Sequence, residues 1–251
     1  MSIEGARHGR VLHIALNRPA KRNALNGELC QALVTAIDEA DADPQIGSVL
    51  LSGKGPAFCA GMDLSETGDF AALHERLFTM IDRVRKPIIA AVQGPALAGG
   101  TGLAANAHIV VAGPEGRFGL TEIRIGLWPV LVFRAVSLAI GERRATELSI
   151  TGRIVSAEEA RTWGLVTEIH EDPLKRALET ATTAAGWSAN AMRRGLEYVH
   201  DIRTLNWAAA GRLGETTRAA MLSHEDFRAA VKSFRKPEAQ ITAGSRPEGE
   251  R

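Results

Sequence analysis

The sequence predicts an α/β fold that ends in a helical region, and three observations predict it. Short apolar runs of strand length alternate with amphipathic helical stretches through the first half of the chain. From about Trp128 onward the pattern is mostly helical. With 251 residues, 45% of them hydrophobic and 24% charged, the chain can also bury a sizeable core without disulfide or metal staples.

The elements follow in order. Arg10–Asn17 (RVLHIALN) alternates like a strand, and the turn-rich RPAKRNALN follows it. Gly27–Asp41 reads as a helix with Leu29, Leu33, Ile37 and Ala40 on one face. Ile46–Gly53 is a buried strand that ends at the loop KGPAFCAGMDL. Phe70–Val84 is helical, Pro87 stops it, and Ile88–Val92 is a strand. The stretch PALAGGTGLAANAH, Pro95–His108, leads to a further strand at His108–Gly113. Helices are expected at Arg143–Ile150, Ala157–Trp163, Leu174–Trp187, Ala189–His200, Leu205–Ala220 and Glu225–Phe234, with one short strand, LVTEIH, among them. Residues 1–190 are expected as the α/β core and 191–236 as the helical region. The polar tail, 237–251, has no period and is expected to be disordered. No repeat of solenoid period is present.

Composition excludes several classes. A formal charge of +1 gives no electrostatic case for nucleic acid. No apolar run reaches the roughly 20 residues of a membrane span. The N-terminal segment lacks signal-peptide architecture. Cys30 and Cys59 make no disulfide framework and read as reduced packing residues of a cytoplasmic protein. The seven histidines are scattered without metal-ligand spacing, so no metal is expected.

Three places carry possible chemistry. In Phe58–Leu64 (FCAGMDL), small residues flank Met62, whose backbone N–H could be aimed at a ligand; a turn with Asp63 as helix N-cap explains the same residues. In the second, Gly99, Gly100 and Gly102 open a helix, although each costs about 1 kcal/mol there relative to alanine. Unpaired N–H groups and the helix dipole at such a start stabilise negative charge; a tightly packed strand-to-helix turn is the structural alternative. In the third, RFGLTEIRIGLWP, Glu122 lies among apolar residues, where desolvation would raise its pKa toward a value useful for proton transfer. An exposed glutamate paired with Arg124 is the alternative there.

Taken together, LNRPAKRNALN, GPAFCAGMDL, KPIIAAVQGPALAGGTGLAANAHIVVAG, FGLTEIRIGLWP and IGERRATELSITGRIVSAEEARTWGLV resemble the enoyl-CoA hydratase/isomerase, or crotonase, family from Val11 to about Arg235. The resemblance implies a crotonase-like spiral of ββα units with a helical C-terminal trimerisation region, and a homotrimer or dimer of trimers. It implies an acyl-CoA thioester as substrate, with CoA arriving as part of it and no separate cofactor. The N–H groups of Met62 and Gly99 would hold the thioester oxygen, aided by the helix that starts near Gly100. Glu122 would move a proton. Lys21, Arg22 and Ala24 match the segment that meets CoA in relatives, although a solvated basic turn explains them too. Ala60, Asp63 and Leu64 would line the adenine and pantetheine pocket, and Trp128 and Pro129 would shape the acyl pocket. The segment FRKPEAQ resembles a basic stretch that can approach CoA.

One position departs from the family's pattern. Hydratases of the family carry a second catalytic glutamate three residues after the oxyanion glycine, and here that residue is Gly102. Related isomerases work with the single glutamate that matches Glu122. Both double-bond isomerisation and hydration stay open at this stage, and Glu66 and Asp69 are further acids that the sequence does not place in the pocket. A non-catalytic acyl-CoA-binding protein is the rival from another class. Gly100–Ala105 also fits a dinucleotide fingerprint, but the next strand begins too soon for a βαβ unit, which needs about 30 residues. No G-x-S-x-G nucleophile elbow is present.

Overall fold

The computed structural model describes residues 1–66, 68 and 70–234. It divides into two compact units, Met1–Trp187 and a second that begins at Ser188. The first contains β1 (Ile3–His8), β2 (Val11–Leu16), α1 (Gly27–Ala42), β3 (Ser48–Gly53), α2 (Ala71–Phe78), α3 (Met80–Arg83), β4 (Ile88–Val92), β5 (Pro95–Leu97), α4 (Gly99–Ala105), β6 (Ile109–Ala112), β7 (Arg117–Gly119), α5 (Val130–Ile140), α6 (Glu142–Thr151), β8 (Val155–Ser156), α7 (Ala157–Trp163), β9 (Glu168–Ile169) and α8 (Pro173–Ala185). The second contains α9 (Ala189–Asp201), α10 (Trp207–Leu222) and α11 (Glu225–Phe234).

The main sheet runs in the order β1-β2-β3-β4-β6-β9. It is parallel from β2 onward, and β1 pairs antiparallel with β2. A smaller sheet, β5-β7-β8, stands beside it. Strands covered on both faces need apolar residues on both, and β4 shows how the split is made. Ile88, Ala90 and Val92 face the larger core with Leu29, Leu33 and Ile37 of α1. Ile89 and Ala91 face the other side, against Ala177, Ala181 and Ala185 of α8. The small face of α8 permits a close approach: Ser48 Oγ donates to the Ala181 carbonyl at 2.8 Å.

The structure differs from sequence expectation where local signals are short. The helix expected over Phe70–Val84 is broken into α2 and α3 at Thr79, whose Oγ1 bonds back to the Glu75 carbonyl at 2.8 Å. The Ile81 N–H is then taken by the side chain of buried Asn106. Strands β5 and β7, three residues each, are too short to display an alternating pattern. Helix α5 lies in the mostly helical stretch from Trp128 onward, where the sequence sets no separate bounds for it. The tail and FRKPEAQ, beyond its first residue, fall outside the described residues, as does Asp69.

In the second unit, Ser188 caps α9 and its hydroxyl also bonds Asp226 in the first turn of α11. Val199, Trp207 and Phe227 are exposed on these helices.

The tight seat of α8 predicts that Ala181→Leu costs about 1–3 kcal/mol in urea unfolding, as overpacking does. The same change at exposed Thr183 is expected to leave the midpoint nearly unchanged. Equal midpoints for the two variants would contradict the packing described.

Candidate active site

The site begins with two loops that pair through their backbones. Pro19–Lys21 forms a 3-10 turn, and Arg22 and Asn23 follow with left-handed backbones, φ +49° and +55°. Asparagine tolerates that conformation better than most residues. Its fully buried side chain also ties the turn down. Asn23 Oδ1 accepts the Arg18 N–H at 2.9 Å, and Nδ2 donates to the carbonyls of Lys54 and Ala57 at 3.0 and 2.8 Å. Leu25 is thereby laid alongside Met62 as a parallel bridge. The Leu25 N–H donates to Gly61 O at 2.7 Å, and the Asp63 N–H donates to Leu25 O at 2.9 Å.

That pairing fixes where the Met62 N–H points. Backbone groups of successive residues in an extended segment face opposite edges. Gly61 O and Asp63 N–H face Leu25, so the Met62 N–H faces the other edge. The alternation is reset at Gly61, whose φ is +96°: before it, Ala60 faces the turn, donating to Arg22 O at 2.9 Å, and Cys59 faces the other edge and pairs with β5, its N–H donating to Pro95 O at 3.2 Å and its carbonyl accepting from Leu97 at 3.0 Å. The Met62 N–H therefore points toward the side where β5 runs into α4. Among the described residues it has no acceptor.

At the start of α4, Ala98 has φ +50° and ψ −119°, a conformation alanine rarely adopts and a mark of stored strain. The Ala98 N–H is held by Gly119 O at 2.8 Å. The next N–H, of Gly99, opens the helix and has no acceptor among the described residues. Gly99 lies against Gly61: a Cβ on Gly61 would sit 3.4 Å from the Gly99 nitrogen and 2.9 Å from the Ala98 Cβ. A Cβ on Gly100 would sit 2.0 Å from the Cys59 carbonyl oxygen, which excludes any side chain. Thr101, fully buried, locks the turn, with its Oγ1 2.6 Å from Ala96 O and accepting the Gly119 N–H at 3.0 Å.

Gly102 answers a different need. A Cβ there would meet Val132 Cγ1 at 2.2 Å and Phe78 Cδ1 at 3.4 Å. The space beside Gly102 is filled by Val132, which is 3% exposed. No side chain, a carboxylate least of all, enters from this position without displacing α5.

Glu122 opens a 3-10 turn, Glu122–Ile125, that Gly126 closes in a left-handed conformation at φ +77°. Its Oε2 is buried and has no hydrogen-bond partner among the described residues. Burial pushes the carboxyl above its ordinary range, and a hydrogen bond from its own backbone N–H opposes this in part. A cavity of about 430 Å³ joins these groups. Met62, Gly99, Glu122, Phe78, Trp128 and Val132 are among its lining residues. Glu122 is the one carboxylate among the described residues that line it. Two free N–H donors and one desolvated carboxylate in an apolar cavity can stabilise an enolate oxygen and carry a proton.

The structure brings together Met62, Gly99, Glu122, Ala60, Leu64, Trp128 and Pro129 around this cavity. Asp63 does not line it. Its carboxylate is taken by Arg18 at 2.9 Å and by the Ser65 hydroxyl at 2.6 Å. Gly100 packs on Cys59 behind the lining. Lys21, Arg22 and Ala24 also lie outside the lining. Lys21 and Arg22 are exposed, and the Ala24 carbonyl is taken by the Arg18 guanidinium. Glu66 is spent elsewhere: its carboxylate accepts the Gly27 N–H at 2.7 Å, at the start of α1. Sequence reasoning passed over Val132, Phe78 and Arg18. Only Arg18 left a signal, as a basic residue placed before the proline of a tight turn.

The Enoyl-CoA hydratase/isomerase family model matches residues 6–238. The chain is 37% identical over 193 residues to enoyl-CoA hydratase EchA19 of Mycobacterium tuberculosis, covering 70% of this chain and 71% of that protein. It is 36% identical over 197 residues to the 2,3-dehydroadipyl-CoA hydratase of Escherichia coli, covering 75% and 77%. The crystal structure of an enoyl-CoA hydratase from Mycobacterium smegmatis superposes with a TM-score of 0.87 at 28% identity, covering 93% of this chain and 96% of that one. The crotonase fold, the paired backbone donors and the match along nearly the whole sequence place the chain in the enoyl-CoA hydratase/isomerase family.

Proposed function

We propose that the protein moves a proton on an enoyl-CoA thioester, with Glu122 as the single proton carrier, and that double-bond isomerisation is the reaction its cavity favours. The observation that carries this reading is the unpartnered, buried Glu122 oxygen in the same apolar cavity as the free N–H groups of Met62 and Gly99. The thioester oxygen accepts from both N–H groups. Glu122 takes a proton from C2 of a 3-enoyl thioester, the electrons pass to the carbonyl oxygen, and the enolate is held by the two donors. The same carboxyl returns the proton to C4, leaving the double bond between C2 and C3. Each oxyanion donor is worth about 3–4 kcal/mol to such a step. No metal or redox chemistry enters, and CoA is part of the substrate.

Hydration is the second reading, and the names of the relatives support it. Glu122 would then serve both to activate water at C3 and to protonate C2. Isomerisation is placed first because Val132 fills the space beside Gly102 where a second carboxylate would work. A homotrimer or dimer of trimers in the cytoplasm belongs to the same reading, and the exposed Val199, Trp207 and Phe227 support association. Light scattering of the purified chain tests the oligomer.

Four outcomes are expected. In paired assays, 3-hexenoyl-CoA gains conjugated-enoyl absorbance, crotonyl-CoA loses it slowly or not at all, and Glu122→Gln lowers the active reaction by about 10²–10⁴-fold. Fast hydration of crotonyl-CoA would reverse the order of the two readings. Because Glu122 acts as a base, turnover rises with pH through its pKa, and the acidic limb lies above the ordinary 4.5. A raised folded pKa also means that stability is lost as pH rises through that window. Glu122→Gln is therefore more stable than the parent at neutral pH, and the difference closes below pH 4.5. Thermal melts across pH check the sign; a variant less stable than the parent at neutral pH would contradict it. Lastly, Gly102→Ala strikes Val132 and lowers stability by about 1–3 kcal/mol, and Val132→Ala in the same chain restores part of it. Simple additivity of the two changes would show that they do not share the space.

A further inference from the structure

Resting on the acyl-CoA reading above, the structure assigns Arg18 a positioning role: its guanidinium clamps the two paired loops so that the Met62 N–H stays aimed at the thioester oxygen. Arg18 does not line the cavity that holds Glu122, Met62 and Gly99. Its two terminal nitrogens divide between the loops. Nη1 donates to the Ala24 carbonyl, immediately before Leu25. Nη2 donates to Asp63 Oδ2 at 2.9 Å, immediately after Met62. Leu25 and Met62 are the bridge that turns the Met62 N–H outward. The clamp thus flanks both partners of that bridge from one planar group.

The Arg18 backbone belongs to the same device. Its N–H donates to Asn23 Oδ1, and its carbonyl accepts the Asn23 N–H at 2.9 Å and the Lys21 N–H at 3.0 Å. The side chains of Arg18 and Asp63 are 20% and 9% exposed, so water does not replace the contact freely. The carboxyl of Asp63 is held down to about 2 by hydrogen bonds from the Ser65 hydroxyl and Arg18. It stays ionised through the acidic limb assigned to Glu122. A lysine offers one ammonium and cannot span both acceptors with a planar fork, so arginine is required for the full effect.

The test compares the parent, Arg18→Met and Arg18→Lys in the full-length chain by two readouts. The first binds an aryl-conjugated enoyl-CoA, whose absorption moves to the red when its carbonyl is polarised, beside a thioether analogue without the carbonyl. The second follows amide hydrogen exchange over residues 60–63 without ligand. The expected result for Arg18→Met is loss of most of the red shift and a kcat about 10–100-fold lower, as for a misplaced oxyanion donor. Exchange over 60–63 rises at least about tenfold, thioether affinity changes less than about threefold, and Arg18→Lys falls between. A parent-like red shift and parent-like exchange in Arg18→Met, even with a lower melting temperature, overturn the assignment. If the parent itself gives no red shift, the acyl-CoA reading fails, and the exchange arm alone decides Arg18: faster exchange keeps the clamp, and unchanged exchange removes it.

Discussion

The bridge between Leu25 and Met62 is the constraint on which the rest of the site depends. Two backbone hydrogen bonds, to Gly61 and from Asp63, occupy one edge of the loop and leave the Met62 N–H on the other. Cys59 meets β5 on that second edge, which brings the start of α4 alongside. The glycines follow from this approach. Gly61 and Gly100 lie where a methyl group would strike backbone or the neighbouring turn. The cost of glycine in a helix, about 1 kcal/mol at each position, is the cost of placing two N–H donors side by side.

The same closeness shapes the chemistry on the other wall. Val132 and Phe78 reach so far toward α4 that position 102 must be glycine. The cavity therefore holds a single carboxylate among its described lining residues. Glu122 is desolvated and its Oε2 has no partner among the described residues, which makes it a stronger base than an exposed glutamate while costing stability. The strained Ala98 and the Glu122 oxygen that has no partner among the described residues both belong to the lining of one cavity. Such concentrations of unfavourable local features are expected at functional sites, where the surrounding packing holds them in place.

Much of this was legible in the sequence, for reasons that differ by residue. The strands Ile88–Val92 and the helix Ala157–Trp163 announce themselves by period and by flanking stops, and their bounds agree with the structure. Glu122 stands out because a charged residue interrupts an apolar run. Gly99 and Gly100 stand out because glycine opposes the helix that follows. The identity of what fills the space beside Gly102 was not legible, since Val132 is thirty positions away and only tertiary packing brings it there. Arg18 sits inside LNRPAKRNALN, beside the equally basic Lys21 and Arg22. Its meaning lies in Asp63, which no local pattern connects to it. The three-residue strands β5 and β7 carry too few side chains to show a period, although they frame the donors.

Proton transfer at carbon is common to isomerisation and hydration, so the most direct measurement is of that step alone. A 3-enoyl-CoA is incubated with the enzyme in D2O, and deuterium at C2 and C4 is read by NMR for the parent and for Glu122→Gln. With the parent, either migration of a C2 proton to C4 or entry of deuterium at these carbons, each lost with Glu122→Gln, is the predicted result. Bound substrate that shows neither proton migration nor exchange with the parent, or migration or exchange that persists without the Glu122 carboxylate, would contradict a Glu122-carried proton and an oxyanion-held enolate.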